Sequence, residues 1–152
     1  MDKAILYIHG KGGSPKEASY YKPLFREYDV IGFDYKSQSP QEAEKEFPEL
    51  LDGFCQTYKS VTIIANSIGA FFAMNTLADK KIEKAYFISP VVDMENLIGN
   101  MMLWANVTED KLREQKEIQT SFGETLSWDY LCYVREHPII WNIPTHILYG
   151  EK

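Results

Sequence analysis

Two short stretches hold the residues whose types and spacing could do chemistry. The first is Ile63–Ala73, IIANSIGAFFA, which sets Ser67 between Ala65 and Gly69. A β-branched run ends, a serine follows at once, and a helix-forming run begins. Small residues two before and two after a serine permit the tight strand-to-helix turn that lifts a nucleophilic hydroxyl above a sheet edge. The start of the helix then favours negative charge forming beside the serine, and the N–H of Ile68 can point at an oxyanion. The competing reading of Ser67 is an ordinary helix N-cap.

The second stretch is Tyr7–Lys16, YIHGKGGSPK. Its glycines and lysines superficially match a phosphate-binding loop, which needs backbone N–H groups, a lysine and a magnesium-binding hydroxyl. Pro15 stands beside Lys16 and has no N–H to give. Glu17 stands where the hydroxyl should be and would repel phosphate. The nucleotide reading fails on these two residues.

The elements that must position both stretches follow from the apolar pattern. Residues 4–8, 30–33, 61–65, 85–88 and 145–149 read as strands, the last as THILY. Tyr20, Leu24 and Phe25 recur at helical spacing within residues 19–27. Ser39-Pro40 opens a helix, with Ser39 as cap and Pro40 at the first helical position. Pro48 is expected to kink or restart it. Residues 68–77 form a helix with small residues on one side. Strands that alternate with helices and run continuously apolar imply a parallel sheet covered on both faces. Residues 91–142 interrupt the alternation and hold all three tryptophans, Trp104, Trp128 and Trp141. Helices at 94–105, 108–118 and 128–136 fit there. One domain is expected, with a core of 1–90 and 143–152 and a helical insertion of about 91–142.

Composition bounds the function classes. The 152 residues are 45% hydrophobic, enough for one core. Net charge is −6, split as −2 in residues 1–76 and −4 in residues 77–152. With no basic stripe, nucleic acid and anionic membranes are not expected partners. No run is long and apolar enough to span a bilayer. Cys55 and Cys132 read as free thiols of a cytoplasmic protein. No metal or organic cofactor is implied.

The chain resembles the α/β-hydrolases, in particular small bacterial serine esterase-like members. The resemblance rests on His9-Gly10, on Ala65-Asn66-Ser67-Ile68-Gly69 and on Leu148-Tyr149-Gly150-Glu151-Lys152. It implies a three-layer α/β/α fold with strand order 2-1-3-4-5 and a helical cap. Both motifs then flank the crevice where the strand order reverses. It implies that the 9–13 loop supplies the second oxyanion donor, the N–H of Lys11 or else Gly12, and that His9 shapes the loop. Gly12, Gly13 and Trp104 are expected substrate contacts, with the insertion forming an apolar acyl pocket. The substrate class is a carboxylic ester or thioester of a small acid.

The resemblance also implies a chain order of serine, acid, histidine. After Ser67 only His137 and His146 remain; the first is expected to end a helix and the second to lie inside the last strand. Asp93 is one candidate acid and Glu151 another. The expectation is that acid and histidine lie beyond Lys152, in a longer protein. A non-catalytic module of the same fold, binding a ligand or partner chain, is the rival; a flavodoxin-like flavin or nucleotide binder shares the strand order. Nothing in the sequence fixes an oligomeric state, though the edge strand at 145–149 leaves pairing open.

Overall fold

The computed structural model describes residues 2–149. Five strands make one parallel sheet: β1 (Lys3–Ile8), β2 (Asp29–Phe33), β3 (Ser60–Asn66), β4 (Lys84–Ile88) and, numbered after a hairpin described below, β7 (Thr145–Leu148). Their order is β2-β1-β3-β4-β7, as the sequence predicts. The register brings Ile8 level with Phe33 on one side and with Ala65 on the other, so the carboxyl ends of β1 and β3 lie side by side. The order reverses between those two strands, which opens a crevice at their ends.

Strand side chains alternate between two covered faces. On one face Ile5, Tyr7, Val30 and Ile64 bury against Ala18, Tyr21, Phe25 and Tyr28. On the other, α1 (Pro40–Thr57) and α2 (Ile68–Thr76) pack against each other and against β3. Phe47 of α1 sits 4.8 Å from Phe33 and 5.9 Å from Phe72, ring centre to ring centre. Burying a ring this completely stabilises the fold by roughly 2–3 kcal/mol.

Three expectations change. Residues 19–27 are not an α-helix: two 3-10 segments, Pro15–Tyr20 and Lys22–Leu24, replace it. Pro23 has no N–H for the carbonyl four residues back, so a continuous helix cannot run through it. Pro48, in contrast, neither breaks nor restarts α1, which is continuous over its 18 residues. One missing hydrogen bond is tolerated because Ala43, Phe47 and Leu51 bury the same face on both sides of it. Residues 116–118 leave the helical path expected for 108–118. The chain turns at Lys116, with φ +71°, and enters a strand.

The chain divides into two compact units, residues 1–91 with 139–152, and residues 92–138. The second contains α3 (Met94–Ala105), α4 (Glu109–Gln115), β5 (Glu117–Gln119), β6 (Thr125–Ser127) and α5 (Trp128–Glu136). β5 and β6 form an antiparallel hairpin closed at Thr120 and Glu124, with Gly123 at φ +85°. Arg135 joins this unit internally, reaching Glu95 at 2.7 Å and Glu109 at 2.5 Å. No helix among the described residues is long and apolar enough to cross a membrane. Both cysteines are free thiols.

Candidate functional site

Ser67 follows the last residue of β3 and precedes α2. Its backbone has φ +54° and ψ −117°, a region that residues with a Cβ rarely enter. Such a conformation costs of order 1–3 kcal/mol and persists only where neighbours impose it. Here they do. The Ser67 N–H donates to the Ile88 carbonyl at 2.9 Å, and its carbonyl accepts from Val91 and Ala70, each at 3.2 Å. The peptide is therefore pinned to the end of β4 from both sides.

The side chain of Ser67 makes no capping hydrogen bond, which separates it from an ordinary N-cap. The first turn of α2 also carries no acidic residue. The leading N–H groups of a helix have no intrahelical acceptor, so that of Ile68 remains available at the positive end of the helix dipole.

Close approach explains Gly69. An added Cβ on Gly69 would lie 2.5 Å from the His9 carbonyl oxygen and 2.8 Å from Ile8 Cγ2. Only glycine lets α2 settle on the end of β1. Ala65 is fully buried between Ile8 and Phe87.

The 9–13 loop meets the serine directly. A Cβ on Gly10 would lie 3.2 Å from both Ser67 Cβ and the Asn66 carbonyl oxygen. Gly13 N–H then donates to the Gly10 carbonyl at 3.0 Å, closing a turn with Lys11 and Gly12 at its tip. Gly12 has φ +78°, as the third position of a type II turn requires. Farther along, Gly32 of β2 accepts the Pro15 backbone where any Cβ would clash, so the outgoing chain lies flat on the sheet.

His9 is engaged by this loop. Its Nδ1 lies 2.8 Å from the Gly10 carbonyl, which can only accept, so Nδ1 carries the proton. The ring stacks on Tyr35 at 4.4 Å, and Tyr35 Oη donates to the His9 carbonyl at 2.7 Å. Burial, then the nearby charge of Glu46, pushes the Tyr35 hydroxyl up to about 12, so it stays a donor.

The resulting crevice, about 320 Å³, is lined by residues 10–13, Glu17, Asn66 and Ser67. Ser67, Lys11, Gly12 and Gly13 thus line one crevice. Ile68 follows Ser67 at the first position of α2. Tyr7, Glu17, Asn66 and Tyr35 were not singled out as site residues. Alternation along β1 places Tyr7 on the face of Ile5, one residue short of the strand end, and that signal could have found it. His146 stacks on Tyr86 at 5.4 Å. Within the helical unit, His137 Nδ1 lies 2.8 Å from the Tyr133 carbonyl, and Trp104 is exposed with its ring edge toward Phe122. Asp93 caps α3, accepting from the Asn96 N–H at 3.0 Å. Glu151 lies outside the described residues. Among the described residues, no group of three or more His, Cys, Asp or Glu could hold a metal ion.

Comparison with known proteins bears on the fold. No protein-family model matches the chain. A presumed esterase/lipase of Mycoplasma genitalium is 31% identical over 113 residues, a match covering 71% of this chain and 40% of that protein. The matched part of the chain therefore spans well under half the length of this relative. The structure of Est1E from Butyrivibrio proteoclasticus with bound ferulic acid superposes with a TM-score of 0.72 at 13% identity, covering 95% of this chain and 67% of the other. Mouse alpha/beta hydrolase domain-containing protein 10 gives 0.72 at 13% identity, covering 97% and 68%. The fold is that of the α/β-hydrolases.

Proposed function

We propose that this chain carries the nucleophile and oxyanion site of a serine hydrolase that cleaves a carboxylic ester or thioester through an acyl-enzyme at Ser67. The observation that carries the proposal is the strained, uncapped serine between β3 and α2, in contact with the Gly10 turn. Ser67 Oγ attacks the carbonyl carbon and gives its proton to a histidine. The carbonyl π electrons move onto oxygen, and the N–H groups of Ile68 and Lys11 receive the negative charge. Gly12 is the alternative second donor. Each such donor contributes about 2.7–4 kcal/mol to the transition state. The imidazolium protonates the leaving alcohol or thiol, and water attacks the acyl carbon to regenerate the serine.

The histidine and its orienting acid belong to residues beyond Lys152 in this reading. Support comes from His9, whose ring is tied to Gly10 and Tyr35, and from the greater length of the relatives. The capping bond of Asp93 speaks for a helical role at that position rather than the triad acid. Gly12 and Gly13 would border the bound acyl group. A cytoplasmic place of work belongs to the same proposal and accords with the two free thiols.

The engagement of the His9 ring also favours a second reading, a hydrolase-fold module that binds a small ester or acid without turning it over. Intact mass of the protein with any residues that follow Lys152, after treatment with a fluorophosphonate probe, separates the two. A single adduct that falls by about a hundredfold or more in Ser67→Ala is expected of the hydrolase. An unlabelled protein that still binds esters would establish the module instead.

A further inference from the structure

The pinning of Ser67 depends on an irregularity where the chain leaves β4. In a parallel pair, a residue that donates to one position of its neighbour accepts from the position two farther on. Ser67 donates to the Ile88 carbonyl, so an unbroken ladder would have residue 90 donate to the Ser67 carbonyl. Residue 90 is a proline and has no N–H to give. The donor is instead Val91, one residue late, at 3.2 Å.

Ser89 makes this shift possible. Its backbone has φ +45°, although a residue before proline ordinarily lies extended. The chain thereby bulges by one residue, and Val91 arrives where Pro90 cannot serve. Ser89 is anchored on its other side, its N–H donating to the Leu148 carbonyl of β7 at 2.7 Å. A left-handed backbone at a residue with a Cβ persists only where its surroundings impose it, and such strain gathers at functional sites.

The carbonyl that Val91 holds belongs to the same peptide as the Ile68 N–H. That peptide is planar and trans, so its N–H points opposite to its C=O. Holding the Ser67 oxygen toward the exit of β4 therefore fixes the direction of the Ile68 N–H. Ala70 donates to the same oxygen at 3.2 Å. Ala70 moves with α2, whereas Val91 ties the peptide to the sheet. Two donors on one oxygen also polarise the peptide and strengthen its N–H as a donor.

We propose that Ser89 is a positioning residue for the oxyanion site: its left-handed backbone, not its hydroxyl, delivers the Val91 N–H that aims the Ile68 N–H. This rests on the reading of Ser67 as the nucleophile and of Ile68 as an oxyanion donor.

The test crosses two substitutions in the protein with any residues that follow Lys152. Ser89→Gly removes the hydroxyl and keeps the left-handed backbone accessible, so kcat for p-nitrophenyl acetate should stay within about twofold of the parent. Ser89→Thr keeps the hydroxyl and adds a β-branch that disfavours that backbone. It should lose about tenfold in kcat at unchanged KM, because removing an oxyanion donor outright costs about 10²–10³ and this one is turned, not removed. Hydrogen exchange at the Val91 amide is read alongside, with protection expected in the parent and in Ser89→Gly and lost in Ser89→Thr. The reverse order of the two variants, equal kcat throughout, a change confined to KM, or an unprotected Val91 amide in the parent overturns the proposal. Should Ser89→Thr not fold, Ser89→Gly decides: a loss of about tenfold overturns the proposal, and a parent-like kcat with a protected Val91 amide upholds it. A parent that turns over no ester, with Val91 protection still lost only in Ser89→Thr, would overturn the nucleophile reading and leave the backbone clamp standing. A parent that hydrolyses the ester as fast as both variants do would do the reverse.

Discussion

The start of α2 differs from the start of every other α-helix described in this chain. The helices α1, α3, α4 and α5 each begin on a side chain that caps: Ser39 accepts from Glu42, Asp93 from Asn96, Thr108 from Lys111 and Ser127 from Tyr130. Each also has a carboxylate in its first turn, at Glu42, Glu95, Glu109 and Asp129. Those oxygens and charges satisfy the leading N–H groups and the dipole. At α2 the serine is present, yet its backbone is turned to φ +54°, its hydroxyl does not cap and no acid follows. Four helix ends are completed by the protein itself. The fifth is left incomplete at a crevice, where a substrate could complete it.

The contrast can be broken in three ways, the largest expected effect first. Gly69→Ala should destabilise the protein by about 3 kcal/mol, because its Cβ would strike the His9 carbonyl. Gly99→Ala in α3 has open space around the new methyl and should instead stabilise by up to about 0.8 kcal/mol. Urea unfolding of both variants checks the pair. Similar losses would mean that α2 is no more tightly seated than an ordinary helix.

Next come the serines themselves. Ser67→Gly relieves a positive φ and should raise stability by about 1 kcal/mol while removing the hydroxyl. Ser127→Ala removes a cap and should lower it by about 1 kcal/mol. Opposite signs in thermal unfolding are the expected result. A loss at both positions would make Ser67 a supporting residue like the rest.

The smallest effect concerns the first-turn carboxylates. The Arg135 hydrogen bond, followed by its charge, holds the Glu109 carboxyl below the ordinary glutamate range. The unfolded chain therefore takes up this proton first as pH falls. The stability from the pair is present above the unfolded value and is lost as pH drops through the folded one. Between pH 6 and 3 the thermal midpoint of the parent should fall more steeply than that of Glu109→Gln. Parallel curves would show that this exposed ion pair contributes nothing.

Much of this was legible in the residues. Ile5 to Ile8, Val61 to Ala65 and Ala85 to Ile88 are apolar runs too short for helices, and they became the inner strands. Gly69 announced the tight turn because its size is set by contact with the end of β1, and Ala65 is small where it is fully buried. The hairpin of β5 and β6 was not legible. Glu117–Gln119 and Thr125–Ser127 are three residues each, too short to show alternation, and only Gly123 marks the turn. Glu17 and Tyr7 were missed for another reason. They are ten residues apart, and their meeting depends on the outgoing chain folding back over the sheet through the contact of Gly32 with Pro15.

Gly10 and Ser67 touch, yet they lie far apart along the chain, and β1 pairs with β3 across everything between. Closing so long a loop is slow, and parallel pairing rewards it only late in folding. No partly assembled chain in which β1 has yet to find β3 can hold the serine against the glycine turn. Capture of Ser67 by a fast covalent probe would then be a clock for folding, silent during collapse and switched on when the central strands lock together.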